Sequence, residues 1–257
     1  MEDISMYTLL ILICFGFLAA FIDSAVGGGG LISIPALLFV GLSPQTALAT
    51  NKLASSFGSF TSTVTFIRSG KVNFQVVSKL FPLVFIGSLI GAYIVHYISP
   101  NILKPLVLVL LIAVTIYTIF NKNWGQNSVY KKLTWKKAAL FALIIFCIGF
   151  YDGFFGPGTG SFFIFSFLFI GFDFLQAAGN SKVLNFGSNI AALCMFIYLG
   201  AVNFAYGIPM GLAMVVGAYC GSKFALKKGV AYVRLLFIVV TLFLIVKNVV
   251  DYVQHKF

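Results

Sequence analysis

The chain has 257 residues, of which 60% are hydrophobic and only 9% are charged. Soluble domains average roughly 45–50% apolar and about 25% charged residues, so this composition excludes a soluble enzyme, a secreted disulfide scaffold and a disordered chain. It predicts a polytopic membrane protein, and the net charge of +11 fits the basic cytoplasmic loops of that class better than a nucleic-acid partner.

The amino terminus does not have the pattern of a cleaved secretory signal. Such signals begin with positive charge, whereas this chain opens with Glu2 and Asp3 and has no Lys or Arg before Lys52. We therefore predict that the first apolar run is a retained membrane helix.

Ten apolar segments are predicted in chain order. A full crossing of the bilayer needs about 20 residues, and most of the segments qualify. Segments 31–41 and 160–170 have only 11 residues each, or about 16 Å of helix, and each follows a glycine-rich stretch. We expect these two segments to be re-entrant, and the alternative is that each is a short, tilted crossing of the membrane. The segments lie near 6–24, 31–41, 43–68, 74–97, 102–120, 138–155, 160–170, 172–198, 204–220 and 231–250.

The two halves of the chain are copies of each other. Residues 41–74 align without a gap on 171–204, with nine identities in 34 positions. One residue earlier in register, Asp23 falls on Asp152 and Gly27 on Gly156. Internal repeats of this kind are common in transporters. We predict a first repeat over 1–121, a basic cytoplasmic connection over 122–137 and a second repeat over 138–257.

The basic residues predict the orientation of the copies. Because basic residues concentrate in cytoplasmic loops, we place the 122–137 connection inside. Alternation then puts twelve basic residues inside and three outside. The turn near residue 70 lies inside and its copy near residue 200 lies outside, so the repeats are predicted to be inverted, with both termini on the outer face.

Two basic residues, Lys52 and Lys182, are left inside the membrane, and they match in the repeat. Lys52 lies about 13 Å into a helix that we expect to start at Ser43-Pro44. The short helix before it begins at a similar depth, and the second copy arrives from the opposite side. Helix N-termini and lysines favour an anion, and intramembrane charges face hydrated cavities or partners. We predict a midplane site for a small oxyanion.

These features also have structural explanations. The glycine stretch at 27–30 fits a tight helix-packing joint, and the lysines fit structural ion pairs. The recurrence of glycine loop, short helix and lysine in both halves favours a functional site. Asp23 and Asp152 neutralise the lysines, cap the broken backbone or carry a coupling proton, and we place structural pairing first. Asp173 matches Ser43 and is predicted to be a plain N-cap.

Little in the sequence supports other chemistry. His96 and His255 are the only histidines, which excludes a multi-histidine metal site, and the four cysteines form no CxxC pair. Neither an HExxH nor a GxSxG motif is present. We expect no metal, no cofactor and no enzymatic activity.

Three motifs resemble the sulfite exporter TauE/SafE family of bacterial and plant anion permeases. They are FIDSAVGGGGLISIPALL (21–38), GLSPQTALATNKL (41–53) and GFYDGFFGPGTGSF (149–162), and the similarity runs from about residue 8 to 250. The resemblance implies an all-α transporter of sulfite and organosulfonate-type anions, usually exporting them across the bacterial cytoplasmic membrane. The alternatives are an anion channel and a permease for an organosulfonate or another small organic anion. The expected partners are a small anion and the lipid bilayer. A homo-oligomer and a monomer are both compatible with the sequence.

The resemblance also implies a set of site residues. The second copy reads Asn180-Ser181-Lys182 where the first reads Thr50-Asn51-Lys52, so the two sites need not be equivalent. Combined with the internal repeat, the predicted substrate-binding residues are Gly27, Gly28, Gly29, Gly30, Asn51, Lys52, Gly156, Gly158, Thr159, Gly160, Ser181 and Lys182, with Asp23 and Asp152 as coupling or ion-pair residues.

Overall fold

A computed structural model describes residues 6–95, 97, 128–130 and 133–254, with the side chains of the last helix described through Lys228 and at Leu235. The predicted segment 102–120, half of the 122–137 connection and both termini lie outside these residues. Within these ranges the protein is all-helical, without a strand. The helices are α1 (Met6–Val26), α2 (Gly30–Phe39), α3 (Pro44–Arg68), α4 (Phe74–Val95), α5 (Trp135–Phe154), α6 (Thr159–Phe169), α7 (Phe174–Tyr198) and α8 (Phe204–Gln254).

Seven of the predicted segments correspond to helices α1 to α7 to within a few residues. Helices α1, α4, α5 and the Phe204–Lys228 part of α8 are long and apolar enough to cross a membrane. Helices α3 and α7 have 25 residues each and are rich in buried polar side chains. The short predicted segments are present as α2 and α6, with 10 and 11 residues.

The prediction of two separate segments at 204–220 and 231–250 is wrong. A single helix, α8, runs from Phe204 to Gln254. The residues between the predicted segments are mostly Lys, Ala, Leu and Phe without proline, and most of them are compatible with a helix. With 51 residues the helix is about 77 Å long, so it extends well past a single crossing.

The two polar helices begin and end in the same way. Ser43 caps α3 by accepting a hydrogen bond from the Thr46 N–H at 3.3 Å, and Asp173 caps α7 by accepting one from the Gln176 N–H at 2.8 Å. Both predicted N-caps are therefore confirmed. After each helix the chain turns at a glycine with positive φ, Gly70 or Gly200.

The two halves interlock through α3 and α7, which run antiparallel. Near the start of α3, the Thr50 Oγ1 accepts a hydrogen bond from the Asn203 N–H, which follows the end of α7, at 3.0 Å. Near the start of α7, the Asn180 Oδ1 accepts one from the Asn73 N–H, which follows the end of α3, at 2.7 Å. Thr50 matches Asn180 and Asn73 matches Asn203 in the repeat, so each half makes the same contact with the other.

Glycines bring the outer helices of one half against the first helix of the other. Gly91 of α4 packs on the Phe150 carbonyl of α5, and the matching Gly221 of α8 packs on the Phe21 carbonyl of α1. A Cβ at either glycine would overlap that carbonyl oxygen. Small residues at such positions allow membrane helices to approach closely. The centre of the molecule is thus enclosed by reciprocal contacts between the halves.

Candidate functional site

The two glycine loops, residues 27–30 and 156–160, meet at the centre of the molecule, and the last residues of each begin the short helix that follows it. Each follows the first helix of its half, and Gly27 and Gly156 have φ values of +82° and +91°, a conformation that glycine adopts without strain. Gly27 lies directly against the backbone of Gly160 and Ser161, in the first turn of α6. A Cβ at Gly27 would overlap these backbone atoms. The Ser161 hydroxyl donates to the Val26 carbonyl at 3.1 Å. The loops therefore pack on one another as well as facing a cavity.

Both buried lysines are paired, and each pairs with the aspartate of the other half. Lys52 Nζ lies 2.8 Å from Asp152 Oδ1, and Lys182 Nζ lies 2.7 Å from Asp23 Oδ2. Three of the four side chains are at most 4% exposed, and Asp23 is 21% exposed. Isolated buried charges cost several kcal/mol each. The cross-pairing between halves explains how the fold accommodates both lysines.

A small polar cavity lies between the loops. Its volume is about 30 Å³, which is enough for one or two water molecules. The starts of both short helices, α2 and α6, contribute to its wall, and helix N-termini carry partial positive charge. Its lining residues are Asp23, Gly28, Gly29, Gly30, Asn51, Lys52, Ser55, Asp152, Gly156, Gly158, Thr159, Gly160, Asn185 and Asn189.

A second, smaller cavity adjoins the first. It has a volume of about 10 Å³ and shares Asp23, Gly29 and Ser55 with the first cavity. It runs between α1, α3 and Met214 of α8. Asp23 therefore borders two cavities, which agrees with its greater exposure.

Nine of the twelve predicted substrate-binding residues line the first cavity, together with Asp23 and Asp152. Gly27, Ser181 and Lys182 do not. Gly27 packs against the opposite loop, and the Ser181 hydroxyl donates to the Gly160 carbonyl at 3.0 Å. Lys182 is fully buried beside Asp23. The structure thus brings the predicted residues together but separates Lys52, which faces the cavity, from Lys182, which does not line it.

Three lining residues were not among the predicted site residues: Ser55, Asn185 and Asn189. The Asn189 Oδ1 accepts a hydrogen bond from Lys52 Nζ at 3.2 Å. Ser55 and Asn185 match in the repeat and follow Asn51 and Ser181 by four residues. Residues four apart share one face of a helix, so that spacing was the signal that could have identified them.

Fold and site together define a class of protein. Apolar helices long enough to span a membrane enclose a buried, charged and polar cavity at the meeting point of two broken helical segments. Non-helical backbone at membrane depth is tolerated where protein or a water-filled cavity shelters it, and this arrangement is typical of transporters. The protein is a multi-pass membrane transporter and not an enzyme.

Comparison with known proteins identifies the family. The sequence model of the family described as "Sulfite exporter TauE/SafE" matches residues 12–248. The chain belongs to this family.

Its relatives carry transporter names. The chain is 38% identical over 253 residues to the "Probable membrane transporter protein ORF9" of Sinorhizobium sp, covering 98% of this chain and 96% of the relative. It is 36% identical over 251 residues to a "Probable membrane transporter protein" of Haemophilus influenzae, covering 97% of each chain. It is 38% identical over 235 residues to the "Probable membrane transporter protein YfcA" of Escherichia coli K12, covering 91% and 87%. No solved structure matches the chain.

Proposed function

We propose that the chain is a secondary transporter of small sulfur-containing oxyanions, with sulfite as the first candidate. The observation that carries the proposal is that the ammonium group of Lys52 lines a polar cavity enclosed by both glycine loops. The family's description supplies the substrate class, and the buried cation supplies the chemistry that would bind it. Export across the bacterial cytoplasmic membrane follows from the same resemblance.

Anion binding at this site involves a change of partner for Lys52. In the structure its ammonium group is held by Asp152 and by Asn189. The cavity of about 30 Å³ has room for one or two waters, which is less than an oxyanion with three oxygens needs. The structure fits an unloaded form in which Asp152 holds the lysine. A bound oxyanion would replace Asp152 at Lys52 and extend along the amides of Gly28, Gly30, Gly158 and Gly160, because the Gly29 and Thr159 N–H groups already donate to Asp23 and to the Gly156 carbonyl.

Alternating access at this site is supported by the relation between the halves. We propose that the two repeats, 1–121 and 138–257, are inverted, with both termini outside. The antiparallel course of α3 and α7 supports this, because two copies of the same orientation would place these matched helices parallel. The exchanged hydrogen bonds of Thr50 and Asn180 and the exchanged ion pairs also fit a two-fold axis in the membrane plane.

The test is a flux screen with purified protein in proteoliposomes. Sulfite, sulfate, thiosulfate and methanesulfonate are each offered to the wild type, to Lys52→Ala and to Lys79→Ala. Loss of a charged hydrogen bond should reduce transport of the accepted anion at least about tenfold in Lys52→Ala. Lys79, which is exposed on α4, is the matched control and should leave flux unchanged.

The screen also separates a carrier from the alternative, an anion channel. A carrier saturates at low substrate concentration and is accelerated by unlabelled anion on the far side of the membrane, whereas a channel shows neither. Flux of none of the four anions, or full activity of Lys52→Ala, would refute the proposed function.

A further inference from the structure

The two matched aspartates are bonded differently. Asp23 uses both carboxylate oxygens: Oδ2 faces Lys182, and Oδ1 accepts the Gly29 N–H at 3.0 Å. Asp152 uses only one, because Oδ1 faces Lys52 while Oδ2 has no hydrogen-bond partner among the described residues. The Asp152 side chain is nevertheless only 3% exposed and lines the first cavity.

A single residue in the loops explains the difference. In the first loop Gly27 and Gly28 have positive φ, and Gly29, with φ of −53°, directs its N–H at Asp23. In the second loop Pro157 stands where the first has Gly28. Proline fixes φ near −65°, and positive φ occurs instead at Gly158, at +85°. The residue that matches Gly29 therefore has a different conformation, and within the described residues its N–H does not bond to Asp152.

A buried carboxylate oxygen without a donor is unfavourable, because it has lost its hydrogen bonds to water and gained none in the protein. Two arrangements relieve it: a donor that reaches Oδ2, or a proton on Oδ2 itself. The need increases when Lys52 turns to a bound anion, because Asp152 then loses its one counter-charge in the cavity.

We propose that Asp152 is the binding site of a proton that is transported together with the anion. The inference rests on the proposed function, since it requires anion binding at Lys52. In the unloaded site the Lys52 ammonium and the Asp152 carboxylate form a neutral pair. When a monovalent anion takes over Lys52, a proton from the water on the same side adds to Asp152 Oδ2, forming a neutral carboxyl. Lys52 stays protonated throughout.

The charges balance at each stage. The loaded site contains one ammonium, one anion and one neutral carboxyl, so its net charge is again zero. On the opposite side the carboxyl releases its proton to water, the anion leaves, and the carboxylate pairs with Lys52 once more. An anion bound without the proton would leave a buried net charge of −1, which low-dielectric surroundings disfavour. One proton therefore accompanies each monovalent anion in the same direction, so net export occurs when the outward gradient of the anion exceeds the inward gradient of protons.

The groups around Asp152 support a proton rather than a metal cation. Lys52 on α3 carries a positive charge 2.8 Å from the carboxylate, which would repel Na⁺. The other titratable groups nearby are Asp23 on α1, which already pairs with Lys182 on α7, and the chain neighbour Tyr151, whose hydroxyl donates to the Pro157 carbonyl at 2.7 Å. In the described part of α4 at this level the titratable residue is the exposed Tyr93, and α6 has none.

The first experiment detects the proton on purified protein. Infrared difference spectra are recorded as sulfite is added to the wild type, Asp152→Asn and Asp23→Asn. A carbonyl band of a protonated carboxyl should appear in the wild type and in Asp23→Asn, and it should be absent from Asp152→Asn. Intrinsic fluorescence in the same samples reports whether sulfite binds.

The second experiment measures coupling in proteoliposomes that contain a pH-sensitive dye, with the membrane potential held at zero. The probe is methanesulfonate, a monovalent anion that stays ionised near neutral pH and so carries no proton itself. In the wild type, anion entry should acidify the interior by one proton per monovalent anion. In Asp152→Asn the number of protons moved per anion should fall at least about tenfold, whatever the rate of anion entry. A sodium gradient should have no effect on either protein.

The outcomes separate the two proposals. If none of the anions binds or moves, the proposed function fails and this inference fails with it. If anions bind and move in the wild type without a carboxyl band and without protons, the function stands and the proton site is refuted. A band or proton flux that survives in Asp152→Asn also refutes it. Asp152→Glu, which keeps the carboxyl, should restore the band, and sulfite binding by Asp152→Asn shows that its loss of the band is not a folding defect.

Discussion

The two halves of this transporter have matching short and polar helices, but they use their two ion pairs differently. Lys182 and Asp23 form a pair in which both carboxylate oxygens are bonded and the lysine is sealed from the first cavity. Lys52 and Asp152 form a pair that lines the cavity, with an added amide from Asn189 and one carboxylate oxygen unbonded. In the scheme that we propose, the repeat supplies a symmetric frame, and a few substitutions within it make one pair structural and allow the other to exchange partners.

The proposed inverted relation between the two halves is the part of this comparison that is tested most directly. Cysteines introduced by Lys71→Cys and Val202→Cys, in a background lacking the native cysteines, should react with an impermeant maleimide from opposite faces of the membrane. Both positions lie in matched turns, after α3 and after α7. Labelling is measured in right-side-out and in inverted vesicles. Each cysteine should react in one vesicle type and not in the other, and the two cysteines should react in opposite types.

Lys136→Cys is the control for this assignment. It lies at the start of α5, within the predicted basic connection 122–137, and should label from the same face as position 71. Labelling of positions 71 and 202 from one face would defeat the inverted repeat and, with it, the interpretation of the two pairs as copies.

The difference between the pairs predicts unequal results when each is replaced as a unit. Replacing a buried ion pair by neutral residues is often neutral or stabilising, whereas removing one partner alone is strongly destabilising. The Lys182→Met/Asp23→Asn variant should fold and keep transport within about tenfold of wild type, since the amide oxygen introduced at position 23 is still able to accept the Gly29 N–H.

The matched variant Lys52→Met/Asp152→Asn should also fold but lose transport by about 100-fold or more, because it removes the ammonium that faces the cavity. Thermal unfolding in detergent checks folding, and proteoliposome flux checks activity. Equal loss of transport in both variants would show that the two pairs serve the substrate alike.

Much of this organisation was predictable from the sequence. The short helices after the glycine loops, the N-caps at Ser43 and Asp173 and the helix bounds follow from local signals such as apolar length and capping residues. The pairing of Lys52 with Asp152 and of Lys182 with Asp23 did not follow, because the repeat matches residues within each half but gives no register between the halves. That register is fixed by packing of α3 against α7.

Two other features depended on three-dimensional context. The continuous helix α8 was missed because the basic residues near 223–228 were taken as a loop, although Lys and Ala are good helix formers. The sequence shows that Pro157 replaces the glycine found at the matching position of the first loop. Its consequence for Asp152 is seen only when the φ angles of both loops are compared.

The smallest expected difference between the pairs comes from Asn189. Its Oδ1 accepts from Lys52 at 3.2 Å, and the matching residue in the first half is Ser59. Asn189→Ser gives the second half the first half's residue and removes a support for the ammonium after Asp152 releases it. One such hydrogen bond contributes about 0.5–1.5 kcal/mol, so the KM for the transported anion should rise about 2–10-fold.

The maximal rate should change little in Asn189→Ser, because the missing contact acts on binding. Ser59→Ala is the control: the Ser59 hydroxyl donates to the Ser55 carbonyl at 2.7 Å and accepts from Asn189 Nδ2 at 3.5 Å, and its removal leaves the hydrogen bond from Lys52 Nζ to Asn189 Oδ1 in place. Its KM should stay within about twofold of wild type. Concentration-dependent uptake measures both variants. An unchanged KM in Asn189→Ser would mean that Lys52 is oriented by Asp152 alone, and the asymmetry of the pairs would then reduce to the carboxylates and the loop that Pro157 reshapes.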